Sequence, residues 1–132
     1  MSIRREANFQ TLFRHWLKAH HREFESCAFE LKQTTSASIP FDAVAEHQAV
    51  ALAAVRGRIA RGLLYKAPDD SRGVKPFDFF FLRDAQSYVV IRFPSFFCVI
   101  DFGDFEMARK TADRKSLTAE YAMRIAQHVV PL

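Results

Sequence analysis

Phe29-Glu30-Leu31-Lys32, continued by Gln33-Thr34-Thr35-Ser36-Ala37-Ser38-Ile39-Pro40-Phe41-Asp42-Ala43-Val44-Ala45-Glu46-His47-Gln48, is the stretch on which the reading turns. On a strand, residues i and i+2 point to one face. Glu30 and Lys32 then stand side by side, while Phe29 and Leu31 point the other way. An acid and a lysine are costly to bury unpaired on an otherwise apolar strand. Taken alone, Glu-x-Lys is a common tripeptide and reads as a half-exposed strand with a cross-strand salt bridge.

The rest of the composition sets bounds. With 132 residues, 49% of them hydrophobic and 14 of them Phe, the chain suits one domain over residues 1–132 with one packed core. The net charge of +4 permits a phosphate-rich partner without requiring one. Cys27 and Cys98 lie in apolar runs and form no CxxC pair. They read as reduced core residues of an intracellular, cytoplasmic protein rather than metal ligands. The N-terminus is charged and its apolar residues are periodic, so no signal peptide is expected. No apolar run nears the roughly 20 residues a membrane span needs, so no membrane partner is expected either.

Working outward, residues 4–20 predict an amphipathic helix, with Phe9, Leu12, Phe13, Trp16 and Leu17 at i, i+3, i+4, i+7, i+8. His15, His20 and His21 read as solvated helix-end residues, with no zinc-ligand spacing around them. Residues 25–33 predict the first strand, and Thr34 to Ser38 turn the chain. A helix is expected from Ile39-Pro40-Phe41-Asp42, capped by Asp42 or a neighbour, ending near Gly57 to Gly62. Residues 62–67 and 79–82 predict short strands around the Pro68 to Gly73 loop. Residues 88–93 and 96–102 predict two strands apolar enough to be buried on both faces. A basic linker with Arg109, Lys110, Arg114 and Lys115 precedes a final helix over about 116–129. The expected fold is α/β: one mixed five-stranded sheet flanked by helices.

Phe-Glu-Leu-Lys, a Thr/Ser-rich stretch, Ile-Pro-Phe and then Glu-His-Gln at 46–48 resemble the central block of the RecU-type Holliday junction resolvases. That family, also called penicillin-binding protein-related factor A, belongs to the PD-(D/E)XK nuclease superfamily. The resemblance is close over residues 25–60, moderate over 85–106 and holds in outline elsewhere. It implies a restriction-endonuclease-like fold and a metal-dependent endonuclease that hydrolyses DNA, with Holliday junctions or other branched DNA of recombination and repair as substrate class. The alternative is a catalytically degenerate nucleic-acid-binding module on the same fold. A homodimer would suit paired cuts on a symmetric substrate.

Phosphodiester cleavage needs a nucleophilic water and neutralised charge on the phosphate, and Mg²⁺ held by one or two carboxylates supplies both. The resemblance implies Mg²⁺, with Mn²⁺ as substitute. It makes Glu30 a metal ligand, the Leu31 carbonyl another, Lys32 the group that positions or activates the water, and Gln48 a positioning residue. Thr34, Thr35, Ser36 and Ser38 could meet phosphates through hydroxyls and N–H groups, with Arg72 and Lys75 as further nucleic-acid contacts.

One departure matters. The family carries an Asp on the strand before Glu-x-Lys, and His20 to Ser26 leaves no room for that strand. Either Asp78 of Lys75-Pro76-Phe77-Asp78 supplies the second metal carboxylate from a rearranged, permuted strand order, or the site only binds. Asp78 also reads as a turn residue at the mouth of its strand. Gln10 stands where the family's first helix often supplies a Glu; Glu6, one turn earlier, and Glu46 are supplementary candidates. Asp101 and Asp104 read as strand-end turn residues, and His47 as a packed helix histidine.

Overall fold

The computed structural model describes residues 3–57, 64–65, 80–81 and 84–132, with side chains from Asn8 to Gly57 and from Asp84 onward. In chain order the elements are α1 (Ile3–Ala19), β1 (Ala28–Gln33), β2 (Ser38–Pro40), a 3-10 turn (Phe41–Ala43) and α2 (Glu46–Ala54). There follow β3 (Leu64–Tyr65), β4 (Phe80–Phe81), β5 (Ser87–Arg92), β6 (Phe96–Asp101), α3 (Phe102–Thr111), β7 (Ser116–Thr118), α4 (Ala119–Ile125) and β8 (His128–Pro131).

The chain is α/β, with a four-stranded mixed sheet ordered β1-β5-β6-β8. β1 and β5 run parallel, placing Glu30 opposite Val89 and Gln33 opposite Arg92. β5, β6 and β8 are antiparallel neighbours. The five-stranded expectation is corrected. β3 and β4 pair with each other apart from the main sheet, and β2 pairs with β7. The fourth strand of the main sheet is β8, in residues expected to close a helix.

Period-two alternation builds the core. One face carries Tyr88, Val90, Phe97 and Val99 against Phe9, Phe13 and Trp16 of α1, joined by Phe29 and Leu31. The opposite face carries Ala28, Val89, Ile91, Cys98 and Ile100 against Leu52, Val55, Phe102, Phe105 and Ala122. Both faces are covered, as the unbroken apolar runs of β5 and β6 require. Leu12, on the margin of the α1 stripe, is exposed rather than packed.

Three local expectations change. Residues 102–111 are helix α3, not linker: Phe102, Phe105 and Ala108 recur at helical spacing and are all buried. The final helix starts at Ala119 rather than 116, because Ser116–Thr118 pair with β2, and Thr118 Oγ1 caps it by accepting the Tyr121 N–H at 3.1 Å. It ends at Ile125, so that Val129 and Val130 can pair with β6. Asp42 caps nothing. Phe41 is buried and its N–H donates to the Lys115 carbonyl at 2.9 Å, so residues 41–43 form a 3-10 turn and α2 starts at Glu46.

The two cysteines behave as packing groups. Cys98 is fully buried, which pushes its thiol up to about 12 from an ordinary 9.0; burial also raises Cys27. As pH rises past 9.0, the unfolded chain loses the Cys98 proton while the folded chain keeps it. Stability should therefore fall between pH 9 and about 12, less steeply in Cys98→Ala than in the native chain, as read by urea unfolding across that range.

No helix among the described residues is long and apolar enough to cross a membrane.

Candidate functional site

Glu30 and Lys32 share the β1 face that looks toward α2, while Phe29 and Leu31 pack toward α1. The Lys32 Nζ lies 3.2 Å from Glu30 Oε1, with the two side chains 22% and 26% exposed. The salt bridge is therefore within β1, rather than cross-strand, and water reaches it.

β1 is an outer strand of the main sheet, and among the described residues no strand pairs with its free edge. The Ala28 and Thr34 N–H groups donate to β5-side carbonyls of Gln86 and Arg92, each at 3.0 Å. Alternation along a parallel ladder then turns the peptide groups of Phe29, Leu31 and Gln33 away from β5. The Leu31 carbonyl thus faces the open edge, beside the Glu30 side chain.

α2 delivers His47 and Gln48 of the Glu-His-Gln triplet to this edge. Glu30 lines a cleft of about 210 Å³ with Ala28, His47, Gln48, Ala51 and Leu52. Gln48 and His47 both line this cleft beside Glu30. Gln48 also has a structural duty, since its Oε1 accepts the Ala45 N–H at 2.9 Å at the start of α2. Lys32 lines a second cleft of about 330 Å³ with Gln10, Gln33, Thr34 and Pro40, so α1 brings Gln10 to the lysine side. Glu46 projects elsewhere, into a groove of about 930 Å³ between α2 and α3.

The Thr/Ser loop spends part of its polarity on itself. Thr34 Oγ1 donates to the Ser38 carbonyl at 3.1 Å and accepts the Ser36 N–H at 3.1 Å. Ser36 Oγ accepts the Ser38 N–H at 3.3 Å. Thr35 is exposed. Asp78, Arg72 and Lys75 lie outside the described residues, as does the Glu6 side chain.

Among the described residues no group of three or more His, Cys, Asp or Glu could hold a metal ion. Glu30 and the Leu31 carbonyl make a two-donor set. That fits the lower end of Mg²⁺ binding, in which the ion keeps several waters and takes further oxygens from substrate phosphates.

Asp101 and Arg56 form a pair that sequence reasoning missed. Arg56 Nη1 donates to both Asp101 carboxylate oxygens at 3.0 Å and reaches the Ser87 carbonyl at 3.4 Å. The partners are 45 positions apart, so no local pattern announces them. The pair ties the end of α2 to the β6–α3 junction. Arg56→Met strands the Asp101 carboxylate and should lower stability by about 1–3 kcal/mol in urea unfolding. A loss no larger than that of an exposed arginine such as Arg124→Met would contradict this role.

His20 was expected to be solvated. It is instead half-buried, its ring stacked 4.1 Å from Trp16 and its Nδ1 donating to the Trp16 carbonyl at 2.8 Å.

Comparison of the chain with protein-family models, with curated proteins and with solved structures finds no match.

Proposed function

We propose that this chain is a Mg²⁺-dependent DNA endonuclease on a restriction-endonuclease-like fold, of the RecU-type junction-resolvase kind, acting on branched DNA. The observation that supports it most is Glu30 and Lys32 side by side on the outer strand of the described sheet, with Gln48 against the same strand. A common tripeptide gains weight when the chain folds a helix-borne glutamine onto it from 18 positions away.

In this reading Glu30 and the Leu31 carbonyl would hold Mg²⁺, with Asp78 as second carboxylate, and the ion would supply Lewis-acid charge at the scissile phosphate and a water of lowered pKa. Lys32 orients the attacking water and neutralises charge as it builds on the phosphate. Without substrate, its ammonium compensates the Glu30 carboxylate. Gln48 holds α2 in place through Ala45 and presents its amide to the Glu30 cleft. Thr35 is free to meet the flanking backbone.

The second reading is a nucleic-acid-binding module without cleavage. It is favoured by the lack, among the described residues, of any group of three or more His, Cys, Asp or Glu that could hold a metal ion. The two part in one experiment: Mg²⁺-dependent cleavage of junction, flap and duplex DNA by the native chain, Lys32→Ala and Asp78→Asn. The nuclease reading expects cleavage by the native chain alone. Equal activity in all three sinks the mechanism, and salt-sensitive binding with no cleavage selects the module.

A further inference from the structure

We propose that the cleft at the carboxyl ends of β1 and β5 binds a phosphate group. Gln33 and Arg92 are register partners at the last rung of the parallel pair. Their side chains project toward the α1 face, by parity with Leu31 and Val90. The strands are still joined there, Thr34 N–H to Arg92 carbonyl at 3.0 Å. Beyond that rung the chains part, β1 into the Thr/Ser loop and β5 into Phe93-Pro94-Ser95. The divergence opens a cleft of about 340 Å³, whose polar lining comes from Asn8, Gln33, Thr34, Thr35 and Arg92. Open α/β sheets place ligands outside the carboxyl ends of their strands for this geometric reason.

The lining is one-sided in charge. Two amides, the Thr35 hydroxyl and a guanidinium line the cleft beside the internally bonded Thr34, and no carboxylate does. Arg56, Arg109 and Arg124 are each paired with an acid. Arg92 is half-buried and has no carboxylate partner among the described residues. The larger groove between α2 and α3 makes the contrast: its four cations face Asp42, Glu46, Glu106 and Asp113, which cancel them.

The Gln33 amide adds a second, independent sign. Its Nε2 is buried with no hydrogen-bond partner. A stranded buried donor costs about 1–3 kcal/mol. Gln33 also lines the cleft, so a turn about its last, soft side-chain torsion is the movement that would offer this N–H to a bound acceptor. A tetrahedral oxyanion satisfies both it and the guanidinium fork, whose paired N–H groups match phosphate oxygens. The cleft is larger than a bare phosphate and leaves room for an attached sugar.

The pocket stands on its own donors and does not depend on cleavage at Glu30. It is contiguous with the lysine side of β1, because Gln33 and Thr34 line both clefts. On a nucleic acid it would hold a phosphate next to the one at Lys32.

The test is a nitrogen-15 NMR titration of the full chain at constant ionic strength, with inorganic phosphate and with a short single-stranded DNA as separate probes. The Arg92 Nε–H and Gln33 side-chain amide signals should shift saturably. Arg92→Met should abolish the Gln33 shift and weaken binding about tenfold or more, the loss expected for a charge-assisted hydrogen bond. Gln33→Leu should also weaken binding while leaving stability equal or higher, since it removes the stranded donor. A response to both probes assigns a nucleic-acid phosphate; a response to inorganic phosphate alone assigns a small phosphate ligand, and either supports the pocket. Signals that stay still with both probes, or move equally with chloride, overturn it. So does Gln33→Leu that loses stability but not phosphate. Moving signals without DNA cleavage would leave the pocket standing and remove the nuclease reading.

Discussion

Phe97→Ala should cost about 3–5 kcal/mol, the largest stability loss of any single truncation considered, and bring the chain close to unfolding. Phe97 is 1% exposed and sits where α1 meets the sheet. Its ring lies 5.9 Å from Phe9, 6.1 Å from Phe13 and 5.7 Å from Trp16, the last two edge to face. Removing it leaves a cavity that α1 cannot fill, because its neighbours are rigid aromatics already in contact with one another. Urea unfolding of Phe97→Ala and Phe97→Leu beside the native chain measures the effect, with Phe97→Leu retaining much of the packing. A loss in Phe97→Ala no greater than in Phe97→Leu would show that α1 is not anchored through this ring.

Lys32→Ala should leave the fold intact and lower Mg²⁺-dependent DNA cleavage by about 10²–10⁴-fold, the range expected for a group that orients a water and stabilises developing charge. Both partners of the Glu30–Lys32 pair are reached by water, and such a pair contributes at most about 1 kcal/mol to stability. Activity and stability should therefore separate. Cleavage assays set against urea unfolding check this: a chain as stable as the native one, binding DNA but not cutting it, is the expected result. Unchanged cleavage removes Lys32 from the chemistry, whereas a parallel fall in stability and cleavage would make the pair structural.

The site residues differ in how legible they were. The Glu30/Lys32 face followed from strand parity alone, and the structure keeps it, with Ala28 on that face and Leu31 on the other. Gln48 beside Glu30 had no local signal, since nothing in the chain between them ties positions 30 and 48. The Gln33–Arg92 pocket and the Arg56–Asp101 pair were not readable. Each joins residues far apart in the chain, and which strands lie side by side sets those partners.

The elements show the same division. α1 was legible because its long periodic apolar stripe admits one conformation that buries it, and β5 and β6 because unbroken apolar runs of strand length suit burial on both faces. α3 was obscured by Gly103 and two aspartates, residues that favour turns locally; burial of Phe102 and Phe105 overrides them. His128–Pro131 reads as the tail of a helix until β6 offers a free edge to pair with.

By itself the sequence determined an α/β domain, two strands buried on both faces, an amphipathic first helix, and an acid and a lysine sharing one strand face. Those properties depend on near neighbours and on the fixed periods of helix and strand. Only the tertiary structure decided that, among the described residues, the main sheet has four strands and ends in β8, that no described strand pairs with the outer edge of β1, and that Arg92 stands beside Gln33. Pairing partners and registers are chosen by the total surface buried, which no local stretch of sequence contains.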